Sequence, residues 1–265
     1  MSNMEENREN TQEDIKQEEE TQAEVKEEKQ EKVSNSFEVH KEELKKEATN
    51  TVNQVKDTFK QTDIKKDSKE AKGFFTSFCK NPLQKLKEVT ADTNNKFLKI
   101  AIIILVIWLV AILLHNVIHI ASVYLFGYLG SASYFFKHLF SNFLGIIKSL
   151  IAPVITIALL SGLIYGFQKG EKKSFLSIAI SIVIAKIPVV IASVVNLLTL
   201  FGSSVTKLTS PFAGFCTVLS TVLLYFVTKD YVAEKEDNTF FWKFALIIGI
   251  FYAVKFVFSF LGIYL

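Results

Sequence analysis

Acidic residues are almost missing from the last two thirds of this chain: beyond Lys99 there are only Glu171, Asp230, Glu234, Glu236 and Asp237, in two short connectors between apolar runs. Carboxylates at membrane depth are the usual carriers of protons and cations, so their absence removes the readiest ion-transport readings. Cysteine is scarce as well: Cys79 and Cys216 stand far apart with no second Cys or His at ligand spacing, which excludes a zinc motif or a disulfide framework of recognisable spacing. No Gly-rich phosphate loop, nucleophile elbow or carboxylate pair occurs. Catalysis therefore finds no support, and neither a cofactor nor a nucleic-acid partner is expected.

What is present is two unlike polymers in one chain, 49% hydrophobic and 22% charged when averaged over 265 residues. Residues 1–31 carry four Lys or Arg against twelve acids, residues 32–99 fifteen Lys against ten acids, and residues 100–265 eleven Lys against five acids. The formal net charge of +3 thus hides an acidic tip, a basic approach and a basic apolar domain. Residues 1–32 hold no apolar core of the kind a secretory signal needs, so membrane insertion is expected to begin at the first long run, near residue 98.

The tip, residues 1–36, has too few apolar side chains to offset the entropy of ordering and is expected to be disordered. Residues 37–71 form a charged, marginally helical linker, in which Leu44, Ala48, Val52, Val55 and Phe59 make a weak stripe. That stripe reads as a solvated helix, with a short coiled coil as the alternative. Residues 72–96 are basic and amphipathic: Phe74, Phe75, Phe78, Leu83, Leu86 and Val89 alternate with Lys72, Lys80, Lys85 and Lys87, and Asn81 is placed to cap a helix opened by Pro82. Phe74, Phe75, Phe78, Lys80, Lys85 and Lys87 are expected to face an anionic inner leaflet. An acidic tip competing with lipid for those lysines would make an electrostatic switch.

Five apolar runs follow, at about 97–126, 144–167, 174–200, 212–228 and 241–261, each reaching or approaching the roughly 20 helical residues that cross a hydrocarbon core. The fold class expected for residues 97–265 is an all-α bundle of five transmembrane helices, the fourth short enough to leave a re-entrant form open. Lys80, Lys85, Lys87, Lys96 and Lys99 precede the first run; Lys169, Lys172 and Lys173 separate the second from the third; Lys229, Lys235 and Lys243 surround the last connector. The positive-inside rule then puts the N-terminus in the cytoplasm and the C-terminus outside.

Within the runs, Lys186 stands two residues before Pro188, which frees backbone carbonyls that an ammonium can use. Lys186 and, less centrally, Lys255 are candidate contacts for an anionic lipid or substrate, whereas Lys148 lies close enough to a run's end to snorkel. Ala158, Gly162 and Gly166 recur every four residues and read as a helix-packing stripe, between spans or between subunits. His115 and His119 have ligand-like spacing but no third ligand nearby except His138, and read as interfacial histidines. Residues 127–143, with Tyr128, Tyr134, Phe135, Phe136 and Phe140, read as an outer aromatic belt.

The aromatic lead at Phe75, the Asn81-Pro82 pair, the short helix ending near Val89, then Asn94, Asn95 and the first span resemble the bacterial branch of the Yip family of membrane proteins over roughly residues 74–262. The resemblance implies a helical membrane bundle, often self-associating, with no catalytic residues. The Asp-Leu-Tyr-Gly-Pro signature of eukaryotic members does not occur, so no Rab-GTPase contact carries over. Two functions are then expected: a scaffold in a bacterial cytoplasmic membrane, self-associating or recruiting a cytoplasmic protein through its N-terminal tail, or a small permease or lipid-handling protein built on the lysine at the proline break.

Overall fold

Apolar chain in a bilayer must satisfy its own backbone N–H and C=O groups, and short of a closed barrel only helices do so. The computed structural model describes residues 42, 45–46, 49–50, 52–58, 64–122, 132–168, 173–201 and 203–260, and every regular element among them is helical. The chain divides into two units, Met1–Asn53 and Gln54–Leu265. In the first unit the described residues are helical, the Thr49 hydroxyl donates to the Lys45 carbonyl at 2.9 Å, and Val52 is 64% exposed. That matches a solvated helix rather than a coiled-coil seam. The expected disordered tail, and Leu44 and Ala48 of the stripe, lie outside the described residues.

The second unit begins with α1 (Ile64–Lys80) and α2 (Pro82–Ala91), parted at Asn81. Pro82 opens α2 as expected, but the Asn81 side chain makes no capping bond; its Nδ2 donates instead to Gln84 Oε1 at 2.8 Å. After α2 the Asp92 carboxylate accepts the N–H groups of Asn94 and Lys96 at 3.0 and 2.6 Å, and Asn95 takes a left-handed φ of 54°, a conformation Asn tolerates. This turn points the chain into the bundle.

The membrane domain comprises α3 (Leu98–Ser122), α4 (Ala132–Phe167), α5 (Phe175–Ala185), α6 (Ile187–Asn196), a 3₁₀ turn (Leu197–Phe201), α7 (Ser203–Val232) and α8 (Asp237–Phe260). Four of these helices are long and apolar enough to cross a membrane, and the α5–α6 pair, bent by 46°, brings the number to five if it counts as one span. The fourth run is no re-entrant loop: α7 is one continuous 30-residue helix through Pro211, and three of its hydroxyls bond back onto their own helix, Thr217 to Ala213, Thr221 to Thr217 and Thr228 to Leu224.

The bent pair travels the length of the bundle. At its start the Ser174 hydroxyl caps α5 by accepting the Ser177 N–H, Ser177 Oγ donates to Asn95 Oδ1 at 3.1 Å, and Lys173 Nζ donates to the Thr90 carbonyl. At its finish the His115 imidazole, about 26 Å further along α3 at 1.5 Å per residue, reaches the backbone of Asn196. One end of the bundle therefore gathers α2 and the starts of α3, α5 and α8, called here the basic end; the far end holds the finish of α3 and the α6–α7 turn.

Burial follows residue type: Leu160, Ile164, Ile178, Ile182, Ile184, Ile187, Leu223, Val227 and Ile247 are at most 1% exposed. Outward faces are apolar as well, including Val106, Ile107, Val110, Leu113 and Leu114 on α3 and Phe256, Val257 and Phe260 on α8. Such a surface suits lipid as its solvent. Only 11% of the α8 window is buried, which makes α8 the most peripheral span.

Candidate anion site in the membrane domain

Pro188 has no N–H to offer the Ile184 carbonyl, and its ring disfavours a regular turn before it. The helix accordingly stops at Ala185 and restarts at Ile187, with Lys186 between them at φ −86° and ψ −1°. The Lys186 N–H still donates to the carbonyls of Ile182 and Val183 at 3.0 and 3.1 Å, and its own carbonyl accepts from Val190 at 3.0 Å. The break thus changes direction without loosening the backbone, and it fixes the one side chain that carries charge there. Lys186 lies about 16 Å along the pair from the basic end, close to the pair's midpoint.

Lys255, on a different span and 69 residues away, lies within electrostatic reach of Lys186. Neither ammonium has a hydrogen bond or ion pair among the described residues. Each described carboxylate beyond Lys99 is engaged at the basic end: Asp230 accepts from Thr90 at 2.7 Å, Glu234 pairs with Lys243, Glu236 accepts from Thr239 at 2.9 Å and Asp237 pairs with Lys229 at 2.8 Å. Two positive charges in low dielectric repel each other, and a single negative charge near 4 Å would gain about 4 kcal/mol per pair at an effective dielectric of 20. The arrangement suits an anion.

Close to the break, α6 and α7 border an open crevice of 330 Å³. Its lining is mostly apolar, with Val189, Ala192 and Ala213, and carries hydroxyl and amide groups of Ser193, Asn196, Thr206, Thr209, Ser210 and Thr217. The residues on α7 recur at helical spacing, so this stripe was legible as a pattern, yet a Ser/Thr-rich run beside Pro211 reads as a connector until α6 is known to lie across from it.

The basic end is tied by a second polar cluster. Thr90 bridges Asp230 and Lys173, while Tyr231 donates to the Ser177 carbonyl at 3.0 Å and meets Ser181 Oγ at 2.9 Å. Lys173 Nζ lies 5.1 Å from the centre of the Tyr231 ring. These contacts join α2, α5 and α7 over sequence separations of 50 to 140 residues, and no local spacing announces them.

Several expected sites fall elsewhere. Phe74 and Phe78 do not face lipid: they are 8% and 3% exposed, and the Phe74 ring packs 5.6 Å from Phe97 and 6.2 Å from Phe78. Leu86 and Val89 are buried too, because α1 and α2 spend their apolar faces on the bundle. Phe75, Lys80 and Lys87 are exposed as expected, whereas Lys85 is half-buried and paired with Glu88 at 2.6 Å. Among the described residues the stripe of Ala158, Gly162 and Gly166 packs against no other span: Ala158 and Gly166 are exposed, and a Cβ at Gly162 or Gly166 would meet nothing within 4 Å. Bulkier Leu160, Ser161 and Ile164 hold the inward face instead.

The rings of His115 and His119 are stacked 6.3 Å apart, and no group of three potential ligands forms a metal site among the described residues. The side chains of His138 and of Tyr128, Tyr134, Phe135, Phe136 and Phe140 in the proposed aromatic belt are not among those described. No known protein family matches the chain, and neither a curated protein nor a solved structure does.

Proposed function

We propose that this chain is a non-enzymatic, multi-pass membrane protein that handles lipid, holding the anionic headgroup of a phospholipid at Lys186 and Lys255. The observation that carries this reading is a lysine held at a 46° break with no hydrogen bond or ion pair among the described residues, Lys255 of another span within electrostatic reach and every described carboxylate of the domain bound elsewhere. Intramembrane charge is costly to keep, and a lipid phosphate is the counter-charge available at every point of the surface. Lysine placement supports a cytoplasmic basic end, since Lys80, Lys87, Lys96, Lys99, Lys173, Lys229, Lys235 and Lys243 all gather there. In the scaffold reading the acidic tip, residues 1–36, would take part in recruiting a partner, and it lies outside the described residues.

The test is lipid retention. Purified from bilayers of phosphatidylcholine and phosphatidylglycerol, the protein is expected to retain the anionic lipid in excess, as read by native mass spectrometry. Lys186→Met should abolish the excess and Lys186→Arg should keep it. An unchanged excess in Lys186→Met, with helicity intact, would remove the reading.

A further inference from the structure

The crevice between α6 and α7 has a position that gives its polarity a use. With 30 residues α7 is about 45 Å long, about 15 Å more than a hydrocarbon core. Its last turn is tied to the basic end by Asp230 and Tyr231, so roughly its first ten residues stand in the headgroup layer at the far end. The crevice residues Thr206 to Thr217 therefore begin at headgroup level and descend about 16 Å toward mid-membrane. On α6 the lining runs Asn196, Ser193, Val189; Lys186 is not part of the lining and stands three residues before Val189, at the 46° break.

The groups in the crevice are poised to bind rather than spent on one another. Ser193, Thr209 and Thr217 donate to carbonyls of their own helices, at Val189, Thr206 and Ala213, which leaves their oxygens free to accept. The side chains of Asn196, Thr206 and Ser210 have no partner among the described residues. One turn deeper than Thr217 on the same face, the Ser220 hydroxyl is wholly buried and has no partner there either. Hydrocarbon would leave the Asn196 amide and the buried Ser220 hydroxyl unsatisfied, at a cost of a few kcal/mol each. A volume of 330 Å³ holds on the order of ten waters or a small polar headgroup.

We infer that this crevice is the port by which the headgroup of an anionic phospholipid reaches Lys186, the hydroxylated headgroup lying against Asn196, Thr206 and Ser210, the phosphate toward Lys186, and the acyl chains in the bilayer beyond the crevice's open side. This rests on the proposed function and adds to it the route and the polyol character of the ligand.

The experiment compares wild type, Ser210→Phe, which fills the crevice, Thr206→Val, which removes one hydroxyl at constant shape, and Phe215→Leu on the lipid-facing side of α7. Each is reconstituted in phosphatidylcholine bilayers doped with phosphatidylglycerol, and the half-saturating fraction of phosphatidylglycerol is measured. Ser210→Phe is expected to weaken binding about tenfold or more and Thr206→Val about threefold, the scale of one hydrogen bond, while Phe215→Leu leaves it unchanged. If wild type shows no preference for phosphatidylglycerol, the proposed function itself fails. If wild type shows the preference and both crevice variants keep it, the lysine site stands and the port is overturned. Competition by soluble glycerol phosphate at equal concentration would overturn the lipid assignment in favour of a free phosphate ester.

Discussion

Removing one oxygen from Tyr231 tests how the basic end is held. Tyr231, Ser177 and Ser181 are 4%, 6% and 0% exposed, so the triangle they form is dry. Its contacts are Tyr231 Oη to the Ser177 carbonyl at 3.0 Å, Ser181 Oγ to the same carbonyl at 3.0 Å, and the two hydroxyls to each other at 2.9 Å. Two hydroxyl protons serve three contacts, so only two hydrogen bonds exist at once. Tyr231→Phe keeps the ring, and with it the Lys173 ammonium 5.1 Å away, but leaves Ser181 donating alone to the carbonyl. One net hydrogen bond is lost, worth about 1 kcal/mol, or about a fivefold change in the folded-to-unfolded ratio. Unfolding in mixed micelles, followed through Trp108 and Trp242, gives the measurement. Ser181→Ala should cost a similar amount, because Tyr231 then donates alone to the Ser177 carbonyl, and the double variant about the sum, since no hydroxyl bond is left. A neutral Tyr231→Phe, or a double variant no worse than either single one, would refute the triangle as a unit holding α5 to α7.

Other expectations follow from burial and topology. Phe78→Ala should destabilise by about 3 kcal/mol, as for a buried aromatic, while Phe75→Ala at 37% exposure costs under about 1 kcal/mol; similar losses in a melting series would contradict the docking of α1. Gly162→Ala, placed in open space within a helix, is expected to raise stability by about 0.5–1 kcal/mol; a loss would show that another helix approaches there, whether from this chain or a second copy. Impermeant maleimide on sealed vesicles should label exposed Cys79 and a Phe260→Cys variant from opposite faces; labelling from one face would overturn the reading of the bent pair as a full crossing. Pro188→Ala should restore an N–H to the Ile184 carbonyl and straighten the break, measured as a longer spin-label distance between positions 176 and 196.

Period and composition carry the helical fold a long way. The apolar runs announce helices because twenty residues without a carboxylate leave few other options, and Pro82 and Pro188 mark two helix starts because a missing N–H costs least there. Faces were less legible. Phe74 and Phe78 among lysines have the pattern of a lipid-facing stripe, and the same pattern serves a helix that docks on protein. Ala158, Gly162 and Gly166 permit close packing without requiring it. The hydroxyl crevice shows only as scattered Ser and Thr until two helices face each other.

The amino-acid order by itself determined that residues 97–265 hold helices long and apolar enough to cross a membrane, and where one of them breaks, because these depend on local solvation and on the backbone of one residue and its near neighbours. Only the tertiary structure decided that Lys186 and Lys255 share a field, that Tyr231 closes on Ser177 and Ser181, and that the small-residue stripe meets no other span. Those outcomes depend on which helices are neighbours and on their rotation about their own axes. In a bilayer every outward face is apolar like the inward one, so hydrophobicity leaves that rotation nearly unmarked, and packing and paired polar groups set it.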